Sequence, residues 1–483
     1  MTPTTPTVFL NDPAKDPARW WGMGEVLRLA VPSVLNTVSF TLMQFVDGLM
    51  VADVGKEALS AQMVGGITAF TPMCFFIGLL SCVSTFASQN LGAGRKEQAA
   101  QYGWQGLWLA WAAALAGLAT LVVAAPWIFA LFGHEPEVMR LETRYFQILV
   151  AGGGFSLSAA ALGSFFMGVH RPRVPLIAGI IGNVVNLAVA YTLIYGALGL
   201  PKLGLMGAAV GSVGGTAVQA LIMFGFFTVG RYPREYEVWR QWRPQARAMW
   251  ELVRVGTPAG VMFIADLLMW TILMGKIIGV FGTESLTATA ILNRYWQLCF
   301  MPAIGVSNAV TAIVGRYCGA RQPRLAWRRA HAGMLLIEAY MVTAGIVIWL
   351  ARDGLVAFFN REPYDPAVQS IATSAVIFIL ICQAFDGMSV TFIGALRGAG
   401  DTLWPGIVQS VLAYGMGLGG AAVMAYSMPE WGIQGVWAAA SIYIIVLGLV
   451  MWGRFLRGKW RTMTLVEEAP VTVPVEPANL PPV

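Results

Sequence analysis

Glu25-Val26-Leu27-Arg28-Leu29-Ala30-Val31-Pro32 returns 226 residues later as Glu251-Leu252-Val253-Arg254-Val255-Gly256-Thr257-Pro258. The correspondence continues downstream. Gly55-Lys56-Glu57-Ala58-Leu59-Ser60-Ala61 returns as Gly282-Thr283-Glu284-Ser285-Leu286-Thr287-Ala288, and Leu91-Gly92-Ala93 as Cys318-Gly319-Ala320. Three anchors keep an offset of 226 or 227 residues, which chance matching does not do over so long a stretch. The chain is a duplicated unit, and a repeat constrains the topology before any other feature is read.

Both copies are apolar. Across 483 residues the composition is 57% hydrophobic and 12% charged, against about 25% charged in a soluble domain, and the mean hydropathy is +0.65. Runs of the length needed to cross hydrocarbon recur along the chain, and they are too long and too uniform for barrel strands. Twelve spans are expected near 26–50, 59–83, 99–125, 144–168, 175–196, 206–229, 252–280, 286–311, 331–350, 368–394, 403–426 and 434–455. The fold class is therefore an all-α integral membrane protein, with twelve transmembrane helices in two six-helix lobes.

Polar segments divide the chain. Residues 1–24 read as a cytoplasmic N-terminal tail, 25–229 as the first lobe, 230–250 as a cytoplasmic linker, 251–456 as the second lobe and 457–483 as a cytoplasmic C-terminal tail. Both tails are expected to be disordered. The linker carries Arg231, Arg234, Arg240, Arg243 and Arg247 with Pro233 and Pro244. Of the 31 lysines and arginines, 23 fall on the face of the termini, the linker and the even-to-odd connections, and 8 elsewhere. Positive charge marks the cytoplasmic side, so both termini are expected there. Six spans per half give the halves the same orientation, which makes them parallel repeats. The net charge of +6 is scattered over helix ends. It forms no basic domain for nucleic acid.

The later part of each half repeats as well. Gly168-Val169-His170-Arg171-Pro172-Arg173-Val174-Pro175 matches Gly398-Ala399-Gly400-Asp401-Thr402-Leu403-Trp404-Pro405, and Leu203-Gly204-Leu205-Met206-Gly207 matches Trp431-Gly432-Ile433-Gln434-Gly435. The glycines hold while the side chains between them drift, which points to backbone geometry. Cys74, Cys82, Cys299, Cys318 and Cys382 have no metal-ligand spacing and read as small packing residues.

Ionisable residues inside apolar spans carry the functional signal. Asp47, Asp266, Glu338 and Asp386 are the carboxylates well within spans. A charge in hydrocarbon costs several kcal/mol, so each faces a cavity, a proton or a partner. Glu338 has Arg294 as a candidate partner, in which case the two only hold helices together. Gln383 precedes Asp386 by one turn and extends its polar face. Asn183 and Asn186 share a helix face and either line an ion site or bond neighbouring helices. Asn293, Tyr295, Trp296 and Phe385 lie near the acidic positions and could line a cleft, the aromatic rings offering π-faces to a cation. Pro32 and Pro258 interrupt the first span of each half and are candidate bends.

Leu29-Ala30-Val31-Pro32, Phe45-Val46-Asp47, Ser88 through Gly94 and Asn183 through Asn186, with Val255 through Pro258, Asp266, Asn293 through Pro302, Asp386 and Leu396-Arg397-Gly398, give the chain a resemblance to the multidrug and toxic compound extrusion (MATE) family over roughly residues 25–455. The resemblance implies two six-helix lobes around a central cleft and export of cationic, amphipathic compounds in exchange for Na+ or H+. It implies that Asp47 is the first-lobe ion or proton carboxylate, that Asp266 holds the acidic position of the seventh helix and Asp386 that of the tenth, with Na+ at Asp266 and Asp386 as one option. Asn186 stands where one bacterial branch usually has aspartate, which favours the sodium- or proton-coupled branch with second-lobe carboxylates.

The expectation is a monomeric, multi-pass antiporter of the cell inner membrane that works by alternating access, is not an enzyme and needs no cofactor beyond its coupling ion. No glycine-rich phosphate loop ending in lysine is present, so ATP is not the expected energy source. A flippase for lipid-linked precursors is the alternative; it calls for a strongly cationic cleft to meet pyrophosphate. A receptor or scaffold would not need acidic residues deep in both halves, and a fixed channel suits two lobes with bent first helices less well.

Overall fold

The structure, a computed structural model, describes residues 22–360 and 364–466. The disorder expected of residues 1–21 and 467–483 falls outside the described residues. Twelve spans are present: α1 (Met23–Ala52), α2 (Lys56–Gly92), α3 (Lys96–Ala130), α4 (Pro136–Ala151 with Gly153–Gly168), α5 (Arg173–Tyr195), α6 (Leu205–Thr228), α7 (Ala246–Phe281), α8 (Thr283–Gly319), α9 (Pro323–Leu350), α10 (Pro366–Ala399), α11 (Leu403–Ser427) and α12 (Pro429–Leu456).

The duplication is visible in the helix ends. α2 and α8 both have 37 residues, and both begin and end 227 positions apart. At about 1.5 Å per residue each is near 55 Å long, so each crosses the hydrocarbon with turns to spare at both faces. The glycines that open α6 and the last helix, Gly204 and Gly432, both have φ of 55°. A side chain is strained at that angle, which is why this position keeps glycine in both halves.

Four elements differ from the sequence reading. α4 begins eight residues before the expected start and is bent by 44° between Ala151 and Gly153. Its first arm carries Glu137, Arg140, Glu142 and Arg144, whose charges lowered the apparent hydropathy. The proposed linker is partly helical, over Arg231–Glu235 and Val238–Gln241, and α7 has begun by Ala246. It docks on the first lobe: the Trp104 indole donates to the Val238 carbonyl at 2.9 Å and the Trp108 indole to that of Trp242 at 2.8 Å. The start of the C-terminal tail is ordered, with a helical turn over Lys459–Thr462 and Trp460 fully buried, stacked on Phe455. Pro32 and Pro258 do not interrupt their helices, which run through both prolines. The irregular stretches are π-helical turns at Ala113–Leu118, Leu273–Ile277 and Ala413–Leu418.

The lobes meet by exchange: α1 packs on α8 and α7 on α2. At the face bearing both described ends, α2 and α8 cross at equivalent glycines. A Cβ on Gly92 would lie 1.9 Å from the Arg316 carbonyl oxygen, and one on Gly319 would lie 1.9 Å from that of Gln89. Around this crossing the lobes are cross-bonded. Thr85 Oγ1 donates to the Arg397 carbonyl at 3.0 Å and Gln89 Nε2 to that of Gly398 at 2.9 Å. Tyr317 and Arg329 both donate to Glu25 Oε2, at 2.8 and 2.7 Å, and Tyr102 donates to Glu251 Oε2 at 2.6 Å. His170, in the turn before α5, bonds the Ala312 carbonyl through Nε2 at 3.2 Å and meets Arg316 through Nδ1 at 3.3 Å. Burial, with the Arg316 guanidinium beside it, pushes His170 down to about 3, so the ring is neutral. Farther along α1, the Thr37 hydroxyl reaches the Met301 carbonyl at 3.2 Å. Beyond Thr37, the side chains of Asp47 in α1 and Asp266 in α7 bond within their own lobes.

Candidate functional site

A polar nest in the first lobe surrounds Asp47. Asp47, near the far end of α1, is buried. Its Oδ2 accepts from Asn186 Nδ2 of α5 at 2.9 Å and lies 3.5 Å from Ser212 Oγ of α6. Its Oδ1 and the Oδ1 of Asn186 are buried without a hydrogen-bond partner. Tyr145 of α4 interacts electrostatically with Asp47 and bonds Gln62. Asn183 faces the same helix, α1, but joins it elsewhere, donating to Ser39 Oγ at 2.8 Å. The fifth helix thus supplies Asn186 to the carboxylate and uses Asn183 to hold α1 in register.

Helix geometry explains the pairing. Asn183 and Asn186 are three apart on α5, and Ser39 and Asp47 are eight apart on α1, and the residue numbers rise together, so both pairs lie along one parallel seam. The close approach of α5 to α6 behind it depends on small residues. A Cβ on Gly215 would lie 2.7 Å from Asn186 Cβ, and one on Gly211 2.7 Å from Ala190 Cβ.

The second lobe gathers its acids around the middle of α7 and α10. Asp266 Oδ1 accepts from Gln409 Nε2 of α11 at 3.2 Å. The Tyr414 hydroxyl, in the π-helical turn of α11, donates to the Ala265 carbonyl at 3.2 Å and fixes the turn that carries Asp266. Asp386 lies 3.3 Å from Ser389 Oγ through Oδ1 and bonds the Trp296 side chain. Asp266 and Glu338 are close enough to Asp386 to act on it electrostatically, and Tyr443 of α12 is close to both aspartates.

Several polar atoms here have no partner among the described residues: Tyr443 Oη, Gln409 Oε1, Glu338 Oε1, Trp437 Nε1 and both amide atoms of Gln383. In a dry interior such groups cost about 1–3 kcal/mol each, so this concentration marks a place built to meet water or a ligand. An aromatic wall adjoins it, with Trp296 edge-on to Trp270 at 4.5 Å and tilted against Trp437 at 5.8 Å.

The remaining sequence candidates fall on either side of this group. Trp296 and Gln383 are in it, and Asn293 lies three residues from Trp296 on the same side of α8. Phe385 packs at the α10–α12 contact, its carbonyl 2.9 Å from where a Gly448 Cβ would be. Tyr295 turns away, donating to the Leu355 carbonyl at 2.8 Å, and Arg294 lies 4.8 Å over the Phe359 ring. Both brace the short helix Arg352–Phe359, and Glu338 does not pair with Arg294; it faces Gly387, where a Cβ would lie 3.1 Å from its Oε1. Ser212, Gln409, Ser389, Trp437 and Tyr443 were not singled out from sequence. Gln409 had a readable signal, an amide inside an apolar span, as Gln383 had. Ser212 sits in a helix rich in small residues, and tryptophan and tyrosine near a helix end suit any membrane protein.

Both nests offer oxygen donors. Carboxylate, amide and hydroxyl oxygens suit a hard cation such as Na+, and a carboxylate can equally take a proton. Among the described residues, no group of three or more His, Cys, Asp or Glu has the arrangement of a metal centre.

The fold and the sequence are both similar to those of known proteins. The chain is 28% identical over 453 residues to a probable multidrug resistance protein NorM of Pseudomonas putida, covering 92% of this chain and 96% of that one. It is 27% identical over 447 residues to a protein of the same description from Aromatoleum aromaticum, covering 90% and 94%. Among solved structures it resembles a MOP superfamily transporter from Pyrococcus furiosus, with a TM-score of 0.83 at 19% identity over 91% of this chain and 96% of that chain. It also resembles the outward-facing conformation of a multidrug resistance MATE family transporter, with a TM-score of 0.82 at 19% identity over 90% and 95%. At these identities the structures speak to the fold. The MatE family model matches residues 32–192 and again 258–423, each match opening at the repeated proline. Two matches that together cover about two thirds of the sequence establish that the chain belongs to the MatE family.

Proposed function

We propose that this protein is a secondary active antiporter that exports amphipathic organic cations in exchange for Na+ or H+. The observation that carries the reading is the pair of acidic nests, buried Asp47 with Asn186 in one lobe and half-buried Asp266 with Asp386 in the other, each beside unpartnered buried oxygens. A carboxylate in such a place is stable when neutral, when bound to a cation, or when wet. Drug and coupling ion therefore compete for the same charge, and each displaces the other. On this reading the lobe contacts close the face of the termini and the cleft opens on the other side. With the termini in the cytoplasm of a bacterial cell, the cleft faces outward across the inner membrane. The relatives' description as multidrug resistance proteins supports the substrate class. The chain acts as a monomer, since each chain carries both lobes, and Trp270, Trp296 and Trp437 offer π-faces to a flat cation.

The test is efflux of a cationic dye from proteoliposomes under separate Na+ and proton gradients. Wild-type protein is expected to move the dye under at least one of them, and Asp386→Asn to abolish the movement at unchanged protein level. Dye movement under neither gradient, or wild-type movement by Asp386→Asn, would defeat the reading. Selection of an anionic lipid head group over all cations would favour the flippase.

A further inference from the structure

Ser81 of α2 and Asn308 of α8 are equivalent positions of the repeat, and both are partly accessible. α2 is buried from Cys82 through Asn90 and α8 from Ala309 through Gly315, and the three residues before each of the pair, 78–80 and 305–307, are buried as well, so Ser81 and Asn308, 227 positions apart, are isolated openings in buried stretches. On the export reading above, this pair lies at the floor of the cleft. Arg397 of α10 lies across it. Its Nη1 donates to Ser81 Oγ, and its Nη2 to Asn308 Oδ1 and Thr311 Oγ1, all at 3.3 Å. The three acceptors are neutral, and Nε is buried with no acceptor. No ion pair among the described residues includes Arg397, and the side chain keeps part of its surface open.

An arginine stays charged in a protein, and its planar fork is shaped for two parallel bonds to a carboxylate. Arg397 stands in the last turn of α10, where a cation suits the helix C-terminus, but its guanidinium is largely enclosed and has no counter-charge among the described residues. By the match of Gly168 with Gly398, the same position in the first half is Met167, which is buried and apolar. The second half therefore has a positive charge where the first has none, in a chain whose spans hold the acids Asp47, Asp266, Asp386 and Glu338. We propose that Arg397, with Ser81 and Asn308, is an anion subsite at the floor of the cleft that takes the carboxylate of zwitterionic amphiphiles whose cationic end meets the acidic walls. This rests on the export reading above and narrows its substrate class.

The test uses a matched pair of probes, a rhodamine free acid and its methyl ester, bound at equilibrium to the purified full chain without any ion gradient. Arg397→Lys keeps the charge and loses the fork. Asn308→Asp leaves the arginine in place and supplies it with an internal carboxylate, so it serves if the arginine variant folds poorly. Either is expected to weaken binding of the acid by about tenfold, the size of one lost charge-assisted contact, and to change binding of the ester by less than about twofold. Equal effects on acid and ester, or an effect on neither, would overturn the proposal. Replacing chloride by gluconate separates the two sources of a small anion. The proposal expects little change in affinity for the acid, and a large change shared by the ester would assign the subsite to inorganic chloride and overturn the carboxylate. Acid–ester discrimination that persists in a protein showing no gradient-driven efflux would support the subsite and count against antiport.

Discussion

A carboxylate oxygen with no partner is the most informative feature at the scale of single residues. Asp47 uses one oxygen on Asn186 and leaves the other buried and empty. A purely bracing aspartate would be expected to fill both, because an unsatisfied buried acceptor costs about 1–3 kcal/mol. Asp47→Asn preserves shape and removes the charge, so efflux is expected to fall at least about tenfold, and dye binding to lose its dependence on Na+ or pH, while folding is unchanged. Asn186→Ala removes a donor only, and a smaller defect of the same kind is expected in the same transport assay. Unchanged turnover and unchanged ion dependence in Asp47→Asn would reduce Asp47 to a helix brace. In the second lobe, Gln409→Leu removes the one side-chain hydrogen bond that Asp266 accepts and is expected to alter the ion dependence of efflux, whereas Tyr295→Phe, remote from the acids, is expected to transport normally. The acids were legible in sequence because a charge inside an apolar run stands out. Their partners were not: Ser212 lies 165 residues from Asp47, and only the packing of α6 against α5 and α1 brings it near.

Elements are placed mainly by glycine, and here the sequence was more readable than at the site. Repeated glycines survived where side chains drifted, and Gly204 and Gly432 share a backbone angle that other residues avoid. What stayed hidden was the first arm of α4, whose charges masked a span, and the continuity of α1 and α7 through proline, which neighbouring helices make tolerable in a membrane. The crossing of α2 and α8 gives a sharp prediction. Gly319→Ala places a methyl within 1.9 Å of a backbone oxygen that cannot move aside cheaply. Overpacking of this kind costs about 1–3 kcal/mol, and the helices are expected to part at the face of the termini. Cys318 is the reporter: it is buried in the wild type and is expected to react with a water-soluble maleimide only in the variant. The same labelling in both proteins would show that the crossing does not hold the face shut.

Over the whole molecule, the two lobes are held together by a contact that the duplication makes twice. Glu25 reaches Arg329 and Tyr317, and Glu251 reaches Tyr102, so each half offers the glutamate that opens its first helix to the other lobe. The copies are unequal, since residue 329 is a cation and its counterpart 102 is a phenol. Glu25 joins an ion pair with both side chains largely buried, which makes it the stronger fastening. Alternating access requires that these contacts break together and that the reverse conformation lie within a few kcal/mol. Loss of about 1.4 kcal/mol from the closed face would change the ratio of the two states about tenfold. Glu25→Gln is therefore expected to enrich the conformation open at this face, and Glu251→Gln to do so less. Spin labels at the exposed positions Gln98 and Arg324 would show it as growth of a longer distance. Acid should act in the same direction through His170. Its neutral form is required while the face is closed, where it is pushed down to about 3, and an exposed histidine takes a proton below about 6.5. As pH falls below that value the open state gains a proton that the closed state cannot hold, worth about tenfold at pH ~5.5. His170→Gln is expected to remove that part of the pH response and leave the effect of Glu25→Gln in place. If the Gln98–Arg324 distance ignores Glu25→Gln, the lobes are held by the glycine crossing alone, and the repeated glutamate is only a relic of the duplication.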